Sequence, residues 1–313
     1  MGLTTEDLKD PKWAEQDKKE IAVVLNRYKE NDVWANKASL PVGILLTSHQ
    51  GNRAYLKACI ESHKKLGYWI TLAYDNFVNP EVKDMDYNRH LPAKDVMDSV
   101  DTFIMPHHQV WGGVLYPYFW LLKFGVNMMQ NFKYIYCANG DMVLEKPEGF
   151  KELLKRFEDV DADIWGTGPD VFEDNRCIFN TTGFICKTEV FKKIMLHFEK
   201  YLIPFETYEK YTQEYGNTEG RIGRAIKEYG FKCKQSNPKP TTEQLFYKGQ
   251  CGEWGDLVGF RHIHAEHNYA YRYKGIPPEI KYFDKRFMGD EYNAIKKYWE
   301  EQDKSILENW WAK

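Results

Sequence analysis

Tyr134-Ile-Tyr-Cys-Ala-Asn-Gly-Asp-Met-Val-Leu144 is the stretch on which the reading of this chain turns. Its first half is apolar, aromatic and β-branched, the composition of a buried strand. The run breaks at Asn139-Gly140, a turn-forming pair, and delivers a carboxylate, Asp141, before a second short apolar run. A strand ending this way in an α/β sheet carries its polar side chains to the sheet edge where such sheets bind ligands. Asp141 is then a candidate ligand for a hard divalent cation, and Asn139 a candidate partner for a sugar hydroxyl or the same cation. The plainer alternative is a strand and a turn in which Asp141 only satisfies nearby amides.

Outward from this stretch the chain reads as alternating strands and helices. Residues 41–48 form a strand ending in Thr47-Ser48, and a helix over 54–66 stops at Gly67. A second strand over 68–74 ends in Asp75-Asn76. Strand, helix, strand with a short glycine connection is a βαβ unit and implies a parallel pair. A third strand is expected over 100–105, and an aromatic helical segment over 111–130 carries Lys123. Beyond the opening stretch come a helix over 150–157, a strand over 163–168, and a strand over 178–186 broken at 180–183. Helices over 189–201 and 220–229 follow, the second stopped by Gly230, and further helices are expected over 4–30 and 290–310.

Three strand ends therefore meet on one edge: Thr47-Ser48, Asp75-Asn76 and Asn139-Gly-Asp141. No G-x-G-x-x-G or G-x-x-x-x-G-K-[ST] follows the first strand, which weighs against dinucleotide oxidoreductases and P-loop enzymes. The 313 residues suffice for one large α/β domain with additions or two small ones. A net charge of −3 supplies no global field for a polyanion, which disfavours bulk nucleic acid as a partner. Aromatic residues at 16% suit planar or sugar-ring ligands, although they also fill cores. The six cysteines have no C-x-x-C spacing and most sit in apolar surroundings, which implies a reducing, cytoplasmic setting. The polar N-terminus does not read as a signal peptide, and no apolar run is long enough to span a membrane.

Two further clusters carry chemistry. In His262-Ile-His264-Ala-Glu-His267 the first two imidazoles would share one face of a strand, and either could ligate a metal held opposite by Asp141. One carboxylate, one imidazole and open positions suit Mn²⁺ or Mg²⁺ bridging a diphosphate, and His264 is the favoured ligand. Clustered His and Glu satisfying one another near the surface is the alternative. Glu219 is expected just before a helix, where the macrodipole favours its ionised form. It could act there as a general base or simply cap the helix. Arg221, Arg224 and Lys123 are candidates to neutralise a departing diphosphate, or else surface cations.

Taken together, these motifs resemble the GT-A nucleotide-sugar-dependent glycosyltransferases over roughly residues 41–270. The resemblance rests on the Thr47-Ser48 strand end, Asp75, the Asn139-Gly-Asp141 variant of the Asp-x-Asp motif, Asn180-Thr-Thr-Gly-Phe, Thr218-Glu219 and a late histidine. It implies an α/β fold with a Rossmann-like, mixed but mostly parallel sheet flanked by helices. A catalytic domain over 41–275 would carry helical additions over 1–40 and 276–313. It further implies that Thr47, Ser48 and Asp75 hold the nucleoside, and that Asp141 and His264 bind Mn²⁺ or Mg²⁺. Asn139 would stand in for the usual first acid, and Asn180, Thr181 and Gly183 would line the donor sugar, with Lys123 also at the donor. Glu219 would be the base of an inverting transfer, although Gly220 stands where an acidic pair is common.

The expected reaction is transfer of a sugar from a UDP- or GDP-type donor to an acceptor hydroxyl. A glycan or lipid-linked sugar is the default acceptor, with a modified DNA base or a protein as alternatives. Aromatic segments over 111–120 and 269–273 are candidates to stack on such an acceptor, or else to fill core. Two competing expectations are a nucleotidyltransferase, for which His49-Gln-Gly-Asn-Arg53 is a poor glycine-rich loop, and a non-catalytic nucleotide- or sugar-binding protein, suggested by Asn139.

Overall fold

A computed structural model describes residues 37–49, 52–75, 92–105, 115–168, 171–172, 177–199, 218–234 and 252–263, with Tyr282, Asp284 and Arg286. The helices expected over 4–30 and 290–310, and the aromatic segment over 269–273, lie outside the described residues.

The chain runs β1 (Val42–His49), α1 (Arg53–Lys64), β2 (Trp69–Asp75), α2 (Lys94–Met97), β3 (Thr102–Ile104), α3 (Leu115–Met128) and β4 (Tyr134–Asn139). It continues through β5 (Met142–Leu144), a 3-10 turn at Pro147–Gly149, α4 (Phe150–Asp159), β6 (Ile164–Gly166), β7 (Val171–Phe172), β8 (Cys177–Ile178) and β9 (Gly183–Lys187). α5 (Thr188–Glu199), α6 (Thr218–Tyr229), β10 (Cys233–Lys234), α7 (Gly252–Val258) and β11 (Phe260–His262) follow. Gly67 and Gly230 stop their helices with φ of 76° and 66°, as expected of glycine in a left-handed C-terminal position.

The main sheet has the order β10-β6-β9-β4-β1-β2-β3. Its pairings are parallel except those of β9, which runs antiparallel to both β4 and β6. This is the expected α/β architecture with a mixed, mostly parallel sheet between helices. β1 lies inside the sheet between β4 and β2, buried along all but its last residue, because a strand covered by helices on both faces needs apolar residues at odd and even positions alike. On one face Leu45, Ile135, Cys137 and Phe184 meet α3, α5 and α6. On the other, Ile44, Leu46, Tyr136 and Ile185 meet α1, α4 and α7. Two short antiparallel ribbons, β5–β11 and β7–β8, are built beside the sheet. Among the described residues the cysteines are free thiols, and no helix is long and apolar enough to cross a membrane.

The α1 layer buries an imidazole among its apolar side chains. His63 is fully buried, stacks on Tyr136 at 5.5 Å between ring centroids, and has Nε2 2.9 Å from the Tyr136 hydroxyl. Burial lowers its pKa to about 4, only partly opposed by the bond to the Cys59 carbonyl.

Two predictions follow from the packing. A Cβ at Gly149 would lie 1.9 Å from the Leu257 carbonyl oxygen on α7, a backbone atom that cannot rotate away. Gly149→Ala should therefore lower stability by about 1–3 kcal/mol in urea unfolding. For His63 the folded pKa is depressed, so the unfolded chain takes up the proton first as pH falls. Wild-type stability should fall below about pH 6.5 and level off near pH 4, relative to His63→Gln. The gap between the two should change by about 2–3 kcal/mol from pH 7.5 to 4.5 in urea titrations.

Candidate functional site

The order of the sheet creates the site. From β1 the chain steps outward to β2 and β3, then returns to place β4 on the other side of β1. The strand order thus reverses between β1 and β4, and a crevice opens at the carboxyl ends of strands at such a switch point. The register sets Thr47 of β1 opposite Asn139 of β4, and His49 opposite Asp75 of β2. Thr47 donates its hydroxyl hydrogen to Asn139 Oδ1 at 3.2 Å, and the Gly140 amide donates to the Thr47 carbonyl at 2.7 Å. A Cβ at Gly140 would lie 2.3 Å from Ser48 Oγ, so only glycine lets the turn descend onto the end of β1. Thr47 and Ser48 are both buried beneath it, and Asp75 is half-buried.

Beyond the turn, β5 pairs with β11 in a register that sets Met142 opposite His262. Asp141 Oδ2 lies 2.9 Å from His262 Nε2, and the Asp141 carbonyl accepts the Ile263 amide at 3.1 Å. The Asp141 side chain is 4% exposed and that of His262 28%, so the carboxylate is enclosed while the imidazole reaches solvent. A buried carboxylate is costly unless partnered, and the ribbon brings it an imidazole. The charge of Asp141 reaches two more groups. Burial pushes the Cys59 thiol well up, with Asp141 adding to the rise. His49 is exposed at the end of β1, yet the surrounding protein lowers its imidazole pKa while Asp141 opposes that change.

The turn at 180–183 adjoins the end of β4. Asn180 Oδ1 accepts the Thr182 amide at 3.0 Å and the Thr182 hydroxyl at 2.6 Å, an Asx-type closure, and Thr167 Oγ1 lies 3.0 Å from Thr182 Oγ1. The Thr182 carbonyl accepts the Asn139 amide at 3.0 Å, joining this turn to the end of β4. Thr181 is buried, and Gly183 opens β9 beneath the Phe260 ring. The Phe179 amide donates to the Glu219 carbonyl at 3.0 Å, so the start of α6 is tied to the same turn.

Most of the expected site residues therefore lie in one region. Thr47, Ser48, Asn139 and Asp141 converge at the switch point, the turn at 180–183 lies against Asn139, and Glu219 is tethered to that turn. One expectation needs correcting: α6 begins at Thr218, so Glu219 lies in its first turn rather than before the helix. A carboxylate complements the macrodipole there and favours the earlier start. Arg221 follows it, buried, and Arg224 is half-buried one turn on. Lys123 is half-buried on α3, the helix that covers β1 and β2. His264 lies outside the described residues, and the imidazole found at Asp141 is that of His262. His49 was expected only as the start of a poor glycine-rich loop, and its interaction with Asp141 was not foreseen. Its position at the end of β1, directly after Thr47-Ser48, was the signal that could have found it.

An imidazole nitrogen and a carboxylate oxygen in contact are two donors that Mn²⁺ accepts, and Mg²⁺ would use the carboxylate. Among the described residues no group of three or more His, Cys, Asp or Glu side chains is placed to hold a metal ion.

Comparison with protein-family models gives no match for this sequence, and comparison with curated proteins gives none either.

Proposed function

We propose that the chain is a metal-assisted, inverting glycosyltransferase of the GT-A type that uses a UDP- or GDP-type sugar donor. The observation that carries this reading is the convergence at the β1/β4 switch point of Thr47, Asn139 and the Asp141–His262 pair, adjoined by the turn at 180–183. Crevices of this kind in α/β sheets bind nucleotides. A carboxylate–imidazole pair there would hold a divalent cation, which would offset the charge of a diphosphate.

In this reading Thr47, Ser48 and Asp75 hold the nucleoside, while Asp141 and His262, with His264 as the alternative imidazole, hold Mn²⁺ or Mg²⁺. The cation would offset charge on the diphosphate as the glycosidic bond breaks. Asn180, Thr181 and Gly183 face the donor sugar. Glu219 takes the proton from the acceptor hydroxyl, with Arg221, Arg224 and Lys123 supplying positive charge for the diphosphate. Asn139 in place of an acid leaves the cation with one carboxylate from the turn, so metal affinity should be modest. The acceptor is taken to be a glycan or lipid-linked sugar.

Thermal unfolding against nucleoside diphosphates, with and without Mn²⁺, tests the donor site. A nucleotide at about 100 times its dissociation constant should stabilise the native state by about 2.7 kcal/mol. The Mn²⁺-dependent part of this shift should vanish in Asp141→Ala. Glu219→Gln should keep it while lowering transfer by about 10²–10⁴-fold. A shift with triphosphates alone would favour a nucleotidyltransferase, and no shift with any nucleotide would remove the proposal.

A further inference from the structure

We infer that Ser62 and His63, on the last turn of α1, are positioning residues that hold the Asn139-Gly140-Asp141 turn in register with the β5–β11 ribbon. The idea rests on the glycosyltransferase reading only for the role given to Asp141. Its geometric content is independent of that reading.

α1 grips the chain on both sides of the turn. Ser62 Oγ donates to the Cys59 carbonyl at 2.8 Å and accepts the Leu144 amide at 3.2 Å. That amide belongs to β5, whose partner strand β11 lies on its other edge, so Ser62 closes the edge facing α1. His63 Nδ1 lies 2.7 Å from the Cys59 carbonyl. A carbonyl can only accept, so Nδ1 carries the proton of the neutral ring and Nε2 accepts from the Tyr136 hydroxyl. Cys59 Sγ completes the set by donating to the Asn139 carbonyl at 3.6 Å. One helical turn thereby anchors β4 at Tyr136, the turn itself at Asn139, and β5 at Leu144.

These anchors lie in a buried layer, where a half-satisfied polar network is costly and therefore has one preferred arrangement. Ser62 and His63 bond the Cys59 carbonyl, the Leu144 amide and the Tyr136 hydroxyl, so their hold on the Asp141–His262 pair passes through the backbone. This is the relation in which outer groups orient a ligand set.

The experiment is site-resolved amide hydrogen exchange on the full chain, comparing wild type, Ser62→Ala and Ile60→Val, a cavity control in the same helix. The Leu144 amide loses its acceptor directly, so the informative amides are Gly140 and Ile263, which Ser62 does not touch. Ser62→Ala should speed their exchange about ten-fold or more while β2 amides stay unchanged, and Ile60→Val should not. Should Ser62→Ala fail to fold, Tyr136→Phe removes the hydroxyl that His63 accepts, and the same local pattern is expected. Unchanged Gly140 and Ile263 amides, equal acceleration throughout β2, or the same pattern in Ile60→Val would overturn the inference. A parallel Mn²⁺ titration with UDP or GDP should show a several-fold weaker midpoint in Ser62→Ala. A wild type with no Mn²⁺-dependent shift would remove the glycosyltransferase reading and leave the exchange result to decide the positioning role.

Discussion

The parallel pairing of β1 with β4 is the constraint on which the rest of this structure depends. Its register sets Thr47 against Asn139, and the Gly140 amide extends the contact one residue past the strand by bonding the Thr47 carbonyl. Only after that bond does the chain turn and send Asp141 away from the sheet. A one-residue slip would exchange the two faces of β4, moving Tyr136 out of the α1 layer and Cys137 into it. Burial on both faces makes such a slip costly, so the position of Asp141 follows from core packing.

The second constraint is the enclosed carboxylate. An acid as buried as Asp141 requires a partner, and none of its near neighbours along the chain supplies the imidazole. It comes from His262, 121 residues away, carried on a strand that pairs with β5 rather than with the main sheet. Phe260 on that strand lies over Gly183, so the ribbon that brings the imidazole also contacts the turn at 180–183. The ribbon and the turn therefore brace one another. The two helical layers differ in what they contribute: α3, α5 and α6 present largely apolar faces, whereas α1 threads hydroxyl, imidazole and thiol groups to the backbone around the turn.

Much of this was legible before any coordinates. Strands at β1, β2 and β4 and helices at α1, α4, α5 and α6 fall within a few residues of their expected positions. Periodicity and turn chemistry are local properties, written in Val42–His49 or in the glycines that stop α1 and α6. Thr47, Ser48, Asp75, Asn139 and Asp141 were legible for the same reason, since they end strands whose parallel crossover connections send them to one edge. The start of α6 was read two residues late because Gly220 resembles a boundary, while the first-turn acid favours extending the helix past it.

The sequence by itself thus determined the alternation of strands and helices, the edge of the sheet at which the polar residues gather, and the absence of glycine-rich nucleotide loops of the commoner types. The tertiary structure alone decided that His262 lies at Asp141, that β9 runs antiparallel between β4 and β6, that Glu219 is tied to the turn at 180–183, and that Ser62 closes the edge of β5. The physical reason is one of distance along the chain. Turn and strand propensities act over a few neighbouring residues. The partner of a buried carboxylate or an open strand edge is selected by the packing of segments that have no local knowledge of one another.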